Sequence, residues 1–180
     1  MNSAYSITPA QAIDAPGIAE IYAWHVLNGV ATFETQPPDT AEIAARMAKV
    51  QGAGLPWLKA VDGTGALLGY AYAGPYHPRF AYRFTCENSI YLRHDQRGRG
   101  LGSALLAALI EASTVAGQRQ MIALISGTEQ ASIALHRKFG FAPAGQLASV
   151  GFKHGQWIDT VLMQRELGPG DTTFPEDTPA

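Results

Sequence analysis

Arg97-Gly98-Arg99-Gly100-Leu101-Gly102 places three glycines and two arginines where a helical pattern begins. Glycine lets the backbone approach a ligand closely, and the free N–H groups of a helix's first turn, at the positive end of its dipole, suit a phosphate or pyrophosphate. The helix is read from Leu101, Ala104, Leu105, Ala108, Leu109 and Ala112, which recur at helical spacing up to Gly117. Before the loop, Cys86 to Leu92 reads as a strand. Strand, glycine turn and helix make a phosphate cradle; a glycine-rich helix cap with solvated arginines is the alternative. A Walker loop would end in Gly-Lys-Ser or Gly-Lys-Thr, and Ser103 stands where the dinucleotide fingerprint has its third glycine. A carboxylate lies close by in the strand. Alternation puts Arg83, Thr85, Glu87, Ser89 and Tyr91 on one face. That face lines a cleft, meets solvent, or holds a Glu87–Arg83 ion pair.

The order Arg-x-x-Gly-x-Gly, carried by Arg97, Gly100 and Gly102, resembles the pyrophosphate loop of the GNAT acetyltransferase superfamily, whose cofactor is acetyl-coenzyme A. Ser132 to Phe141, with Gly140 as a stop, looks like that superfamily's last helix, which lies beside the pantetheine arm. Ala31-Thr32-Phe33-Glu34-Thr35, Gly69 to Tyr76, Glu87 and Ser149 to Trp157 narrow the likeness to the phosphinothricin N-acetyltransferase group, and the matching segments cover nearly the whole chain up to Leu167. The resemblance implies an α+β fold: a single GNAT-type domain over residues 1–167, with a central mixed, mostly antiparallel twisted sheet flanked by helices. It also implies direct acetyl transfer from acetyl-CoA to the α-amino group of a phosphinothricin-like or methionine-sulfoximine-like amino acid. A peptide or protein amine as acceptor, and a non-catalytic acyl-CoA sensor, are the competing readings.

Acetyl transfer from a thioester to an amine needs a held cofactor, a deprotonated amine, donors for an oxyanion and a proton for the departing thiolate. By resemblance, Ile90, Tyr91, Leu92, Arg97, Gly98, Arg99, Gly100, Leu101, Gly102, Ser103, Ile125 and Ser132 hold the cofactor. Glu87 takes the role of base, and the Tyr91 backbone amide is expected to meet the oxyanion. His136 stands where many relatives carry a thiolate-protonating tyrosine; it is read as that acid, as a second base, or as a complement to the helix C-terminus. Phe33, Tyr72, Arg79, Tyr82, Arg83 and Lys153 are candidates for the acceptor site, Arg79 first because guanidinium grips a carboxylate or phosphinate as a rigid fork. One departure stands out. Relatives commonly have asparagine three residues before Ser132, where this chain has Glu129, and a carboxylate donates no amide hydrogen bond.

Composition frames these residues. At 180 residues and 47% hydrophobic content, the chain suits one domain with a proper core. A net charge of −2 with no basic run beyond Arg97 and Arg99 argues against nucleic acid as the main partner. A single cysteine, Cys86, reads as a small buried side chain, and five scattered histidines indicate no metal site. The absence of a signal-like start or a long apolar run makes a cytoplasmic protein, away from membranes, the expectation. Relatives are typically homodimers, and the aromatic-rich stretch around Trp157 is a candidate interface.

Alternating helical and strand patterns give the elements that must position the site. A first helix starts near Asp14, with Pro16 in its first turn, and stops at Asn28-Gly29. Val30 to Thr35 reads as a short strand, and Thr40 as the cap of a second helix ending near Gly52 to Gly54. Trp57 to Val61 and Ala66 to Ala73 form a hairpin. Further strands are expected at Met121 to Ile125, Phe141 to Gln146 and Trp157 to Gln164. Gly168 to Ala180, rich in proline, threonine and acidic residues, reads as a flexible tail.

Overall fold

The computed structural model describes residues 5–175. Seven strands form one sheet in the order β1-β2-β3-β4-β5-β7-β6. They are β1 (Tyr5–Pro9), β2 (Trp57–Asp62), β3 (Leu67–Pro75), β4 (Thr85–Leu92), β5 (Gln120–Ser126), β6 (Ala142–Lys153) and β7 (Gln156–Glu166). Every neighbouring pair is antiparallel except β4 with β5. The expected mixed, mostly antiparallel sheet is therefore present, with α1 (Ala15–Asn28) and α2 (Thr40–Gly52) on one face and α3 (Leu101–Val115) and α4 (Gln130–Lys138) on the other.

Burial explains where the helices sit. In α3, Leu101, Leu105 and Leu109 are 2%, 0% and 0% exposed, and the helix stops just before Gly117, whose φ of +81° suits glycine. Truncating such a leucine to alanine costs on the order of 2–5 kcal/mol. On the opposite face, Trp57, Tyr70 and Tyr72 stack in parallel, and Tyr91 meets Tyr70, Tyr22 and His25. Cys86 is buried in the sheet, and burial pushes its thiol up to about 12. That leaves it inert at neutral pH.

Three local expectations are corrected. Val30 to Thr35 is not a strand but an irregular segment. Its backbone is held by side chains in place of a ladder: the Thr32 hydroxyl accepts the Glu34 N–H, and Tyr22 Oη lies 2.8 Å from the same oxygen and donates to Glu34 Oε1 at 2.9 Å. Arg46 of α2 pairs with Glu34 at 2.7 Å. The cap of α2 is Asp39, whose Oδ1 accepts the Glu42 N–H at 2.8 Å, and Thr40 is the helix's first residue. β1 was not expected at all; it is a short, half-exposed edge strand with little apolar pattern. At the other end, Arg119 donates to Gly170 C=O and Thr173 Oγ1, holding the start of the segment read as a tail; residues 176–180 lie outside the described residues.

Candidate active site

β4 decides the site. Tyr76 N–H donates to Thr85 C=O and Arg93 N–H to Leu68 C=O, with unbroken register from Pro75↔Cys86 to Gly69↔Leu92. In an antiparallel ladder a residue's N–H and C=O point to the same neighbour. Thr85, Glu87, Ser89 and Tyr91 therefore turn their backbone groups to β3, and Cys86, Asn88, Ile90 and Leu92 turn theirs to β5. The parallel pairing with β5 ends at Glu87↔Ile122. Beyond that rung the two strands part, and the amide of Ile90 faces an opening. The expectation that Tyr91 offers its amide there is corrected: that N–H belongs to the β3 ladder, and Ile90 has the free one. The Leu92 carbonyl, on the same side, is 2.8 Å from His25 Nε2.

The opening is a cleft of about 560 Å³ that runs from the fork to the first turn of α3. Gly98 and Gly100 lie at φ +76° and +78°, and no side chain caps α3. The first intrahelical donor is the Ala104 N–H, so those of Leu101, Gly102 and Ser103 have no helical partner. This is an anion cradle with the helix dipole behind it. Of the residues expected to hold a cofactor, Ile90, Tyr91, Leu92, Arg97, Gly98, Gly100, Gly102, Ser103, Ile125 and Ser132 line the cleft. Arg99 and Leu101 do not: Arg99 donates to Gln96 Oε1, and the Leu101 side chain is in the core. Arg97 rests over Trp24, 5.5 Å from the ring centroid. Glu129 also lines the cleft at the head of α4, with its side chain bonding no backbone N–H.

Sequence reasoning passed over Asn88 and Lys138, both in the cleft wall. Asn88 had one available signal, its place beside Glu87 in the middle of β4. Its Nδ2 is 2.8 Å from His136 Nε2, while His136 Nδ1 is 2.8 Å from the Ser132 carbonyl. Burial lowers the His136 pKa, so the ring is neutral at pH 7.

On the α1–α2 face of β4, Glu87 has neither ion pair nor hydrogen bond among the described residues, and burial raises its carboxyl above the ordinary value. Tyr72 lies across from Ser89 and Gly74 across from Glu87 in the ladder, so Tyr72, Ser89 and Glu87 share this face. Phe33, on the irregular segment, packs against Gly151 of β6. Its ring lies so close to Gly151 that a Cβ on that glycine would be 2.5 Å from Phe33 Cε2.

The other acceptor candidates separate. Lys153 is 4% exposed and donates to the Thr32 carbonyl at 2.8 Å; it pins the Phe33 segment and does not offer its charge to a ligand. Arg83 lies before β4, its guanidinium over Phe80 and Phe84, in a hollow with Arg119 at the far end of the strand from the fork. Arg79 and Tyr82 sit on the exposed loop between β3 and β4, Tyr82 against Tyr76 and His77. Among the described residues no cluster of His, Cys, Asp and Glu could hold a metal, and no helix is long and apolar enough to cross a membrane.

Residues 18–141 match the Acetyltransferase (GNAT) family. The chain is 54% identical to phosphinothricin N-acetyltransferase of Alcaligenes faecalis over 164 residues, 91% of this chain and 83% of that protein. It is 43% identical to the L-methionine sulfoximine/L-methionine sulfone acetyltransferase of Pseudomonas aeruginosa, again over 91% of this chain and 95% of that one. A crystal structure of a GNAT phosphinothricin acetyltransferase from Sinorhizobium meliloti, in complex with acetyl-CoA, superposes with a TM-score of 0.95 at 48% identity, covering 98% of this chain and 95% of that chain.

Proposed function

The chain belongs to the acetyltransferase (GNAT) family, and on that premise we propose that it moves the acetyl group of acetyl-CoA directly to the α-amino group of a small, oxygen-rich amino acid of the phosphinothricin or methionine sulfoximine kind. The observation that carries this reading is Glu87, a half-buried carboxylate with no partner among the described residues, beside the place where the sheet splits.

The cleft suits acetyl-CoA by its chemistry. Free N–H groups at the start of α3 and the guanidinium of Arg97 meet a pyrophosphate, and the unpaired edge of β4 meets the amides of the pantetheine arm. When bound, acetyl-CoA supplies an activated acyl group. Ile90 N–H then stabilises the oxyanion on the acetyl carbonyl, while Glu87 on the other face takes the amine proton, directly or through one water. Burial raises its pKa and so brings the carboxylate closer to the amine in proton affinity. Phe33 and Tyr72 form an apolar shelf for the acceptor, and Arg79 grips its acidic end.

Leu147, Val150, Phe152 and Trp157, each at least half exposed on β6 and β7 at the sheet's edge, supply the face for a homodimer. A cytoplasmic enzyme accords with this chemistry, since acetyl-CoA is a cytoplasmic metabolite.

Thiol release from acetyl-CoA against a panel of methionine sulfoximine, methionine sulfone, phosphinothricin, a proteinogenic amino acid and a short peptide tests the reading. The first three should release thiol fastest. Release with the peptide alone, or with none, overturns it; sedimentation of the purified protein tests the dimer.

A further inference from the structure

Asn88 stands one residue past the last rung joining β4 to β5 and is 6% exposed, yet its Oδ1 is buried without a hydrogen-bond partner. The direction of its bond to His136 follows from the far side of the ring. The Ser132 carbonyl can only accept, so His136 Nδ1 carries the imidazole proton and Nε2 is an acceptor. Asn88 must then turn Nδ2 toward His136, because the flipped amide would set two acceptors against each other. One Nδ2–H is used in that bond. The second, with Oδ1, is left for the cleft that Asn88 lines.

The neutral ring of His136 has no proton to offer there. Its only N–H is bonded to Ser132, and its lone pair is occupied by Asn88. Asn88 lies on the α3–α4 face of β4, opposite Glu87, so an amine approaching from Glu87 would drive the leaving sulfur toward Asn88.

Resting on the acetyl-transfer reading, we propose that Asn88 is the catalytic side chain that meets the coenzyme A sulfur, donating its second Nδ2–H to the thiolate, and that His136 is a positioning residue that fixes the amide. The C–S bond breaks with its electron pair on sulfur. Glu87 holds the proton lost by the amine and passes it to solvent; the thiolate leaves as the anion or takes a proton from water, and Asn88 gives up none. Oδ1 waits for a donor that comes with the ligand, which the amide N–H groups of the pantetheine arm supply.

Coenzyme A bound to the full chain, followed by thiolate absorbance as pH is raised, tests this without turnover. The bound thiol should ionise about one pH unit lower in the wild type than in Asn88→Ala, a tenfold change in its ionisation constant, the scale of one hydrogen bond to a charged acceptor. Arg97, Lys138, Glu129 and His25 also line the cleft, and Glu87 lies across the strand; they act on the thiol in every variant, so the difference isolates Asn88. His136→Phe should give a smaller shift in the same direction, and His136→Gln, which can still accept from Nδ2, should recover part of it. If Asn88→Ala does not fold, Asn88→Asp keeps the shape but sets an anion against the sulfur, and the thiol should then ionise at higher pH than in the wild type. Calorimetric binding of coenzyme A with unchanged ionisation in the Asn88 variant overturns this assignment alone. So does a full shift in His136→Phe with none in Asn88→Ala. A wild-type chain that binds no coenzyme A overturns the acetyl-transfer reading as well.

Discussion

Along β4 the residues facing α3 and α4 present a backbone with no strand beside it past the Glu87↔Ile122 rung, whereas the residues facing α1 and α2 have their backbone paired to β3 and can offer side chains only. The proposed cofactor side is accordingly made of N–H groups, glycines and a helix terminus. The proposed acceptor side takes Glu87, Tyr72 and Phe33 from separate elements. Backbone donors recognise what all acyl-CoA ligands share. Side chains on a loop distinguish one amine from another.

The largest break in this contrast should come from Glu87→Gln, which keeps the shape of the proposed acceptor side and removes the proposed base. Turnover should fall by roughly 10²–10⁴-fold with acetyl-CoA affinity intact, and the loss should shrink as pH rises and more amine arrives deprotonated. Wild-type kcat/KM should fall as pH drops through a Glu87 pKa above the ordinary carboxylate value. Stability has the opposite sign. Between the ordinary and the raised pKa, folded Glu87 holds a proton that the unfolded chain has lost, so stability declines as pH rises through that window and the deficit persists above it. Thermal melts should therefore find Glu87→Gln more stable than the wild type at neutral pH, and equal to it below the ordinary carboxylate range.

Gly102→Val attacks the other side alone. A Cβ at Gly102 stands 3.5 Å from Leu135 and 3.7 Å from Leu92, both in the cleft wall, so the extra methyl groups intrude on the cofactor. Acetyl-CoA should bind about tenfold more weakly by calorimetry, ~1.4 kcal/mol, with the acceptor KM unmoved. Gly151→Ala is the mirror experiment, since its Cβ displaces Phe33. The acceptor KM should rise about fivefold while that for acetyl-CoA holds, a split that uniform damage to the fold would not give. Smallest is Glu129→Asn. Replacing an anion in the cleft wall by an amide donor should tighten acetyl-CoA about threefold, the scale of a single hydrogen bond of ~0.5–1 kcal/mol.

Local patterns made most of the cofactor side legible. The glycines before α3, the period of Leu101, Leu105 and Leu109, and the alternation of β4 are all short-range signals, and α3 and β4 formed within a residue or two of their expected places, whereas Val30 to Thr35 formed no strand and β6 runs on to Lys153. Register was not legible. Whether the free amide belongs to Tyr91 or Ile90 depends on which strand lies on which side of β4, and parity alone cannot say. Lys153 and Arg83 carried charge that suggested ligand contact. Burial under the Phe33 segment and placement at the wrong end of β4 were settled by contacts far along the chain.

The sequence by itself thus determined the strand, glycine turn and helix, the presence of a carboxylate and a histidine in fixed order, and through them the family, because all of these are spelled by residues close in the chain. Only the tertiary structure decided that Val30 to Thr35 is an irregular strap tied by Tyr22, Thr32 and Lys153, that β4 and β5 part after the Glu87↔Ile122 rung, and that Asn88 meets His136 across 48 positions. Hydrogen bonds between distant segments fix these features, and a bond's direction depends on the neighbour that receives it, which no local pattern of residue types contains.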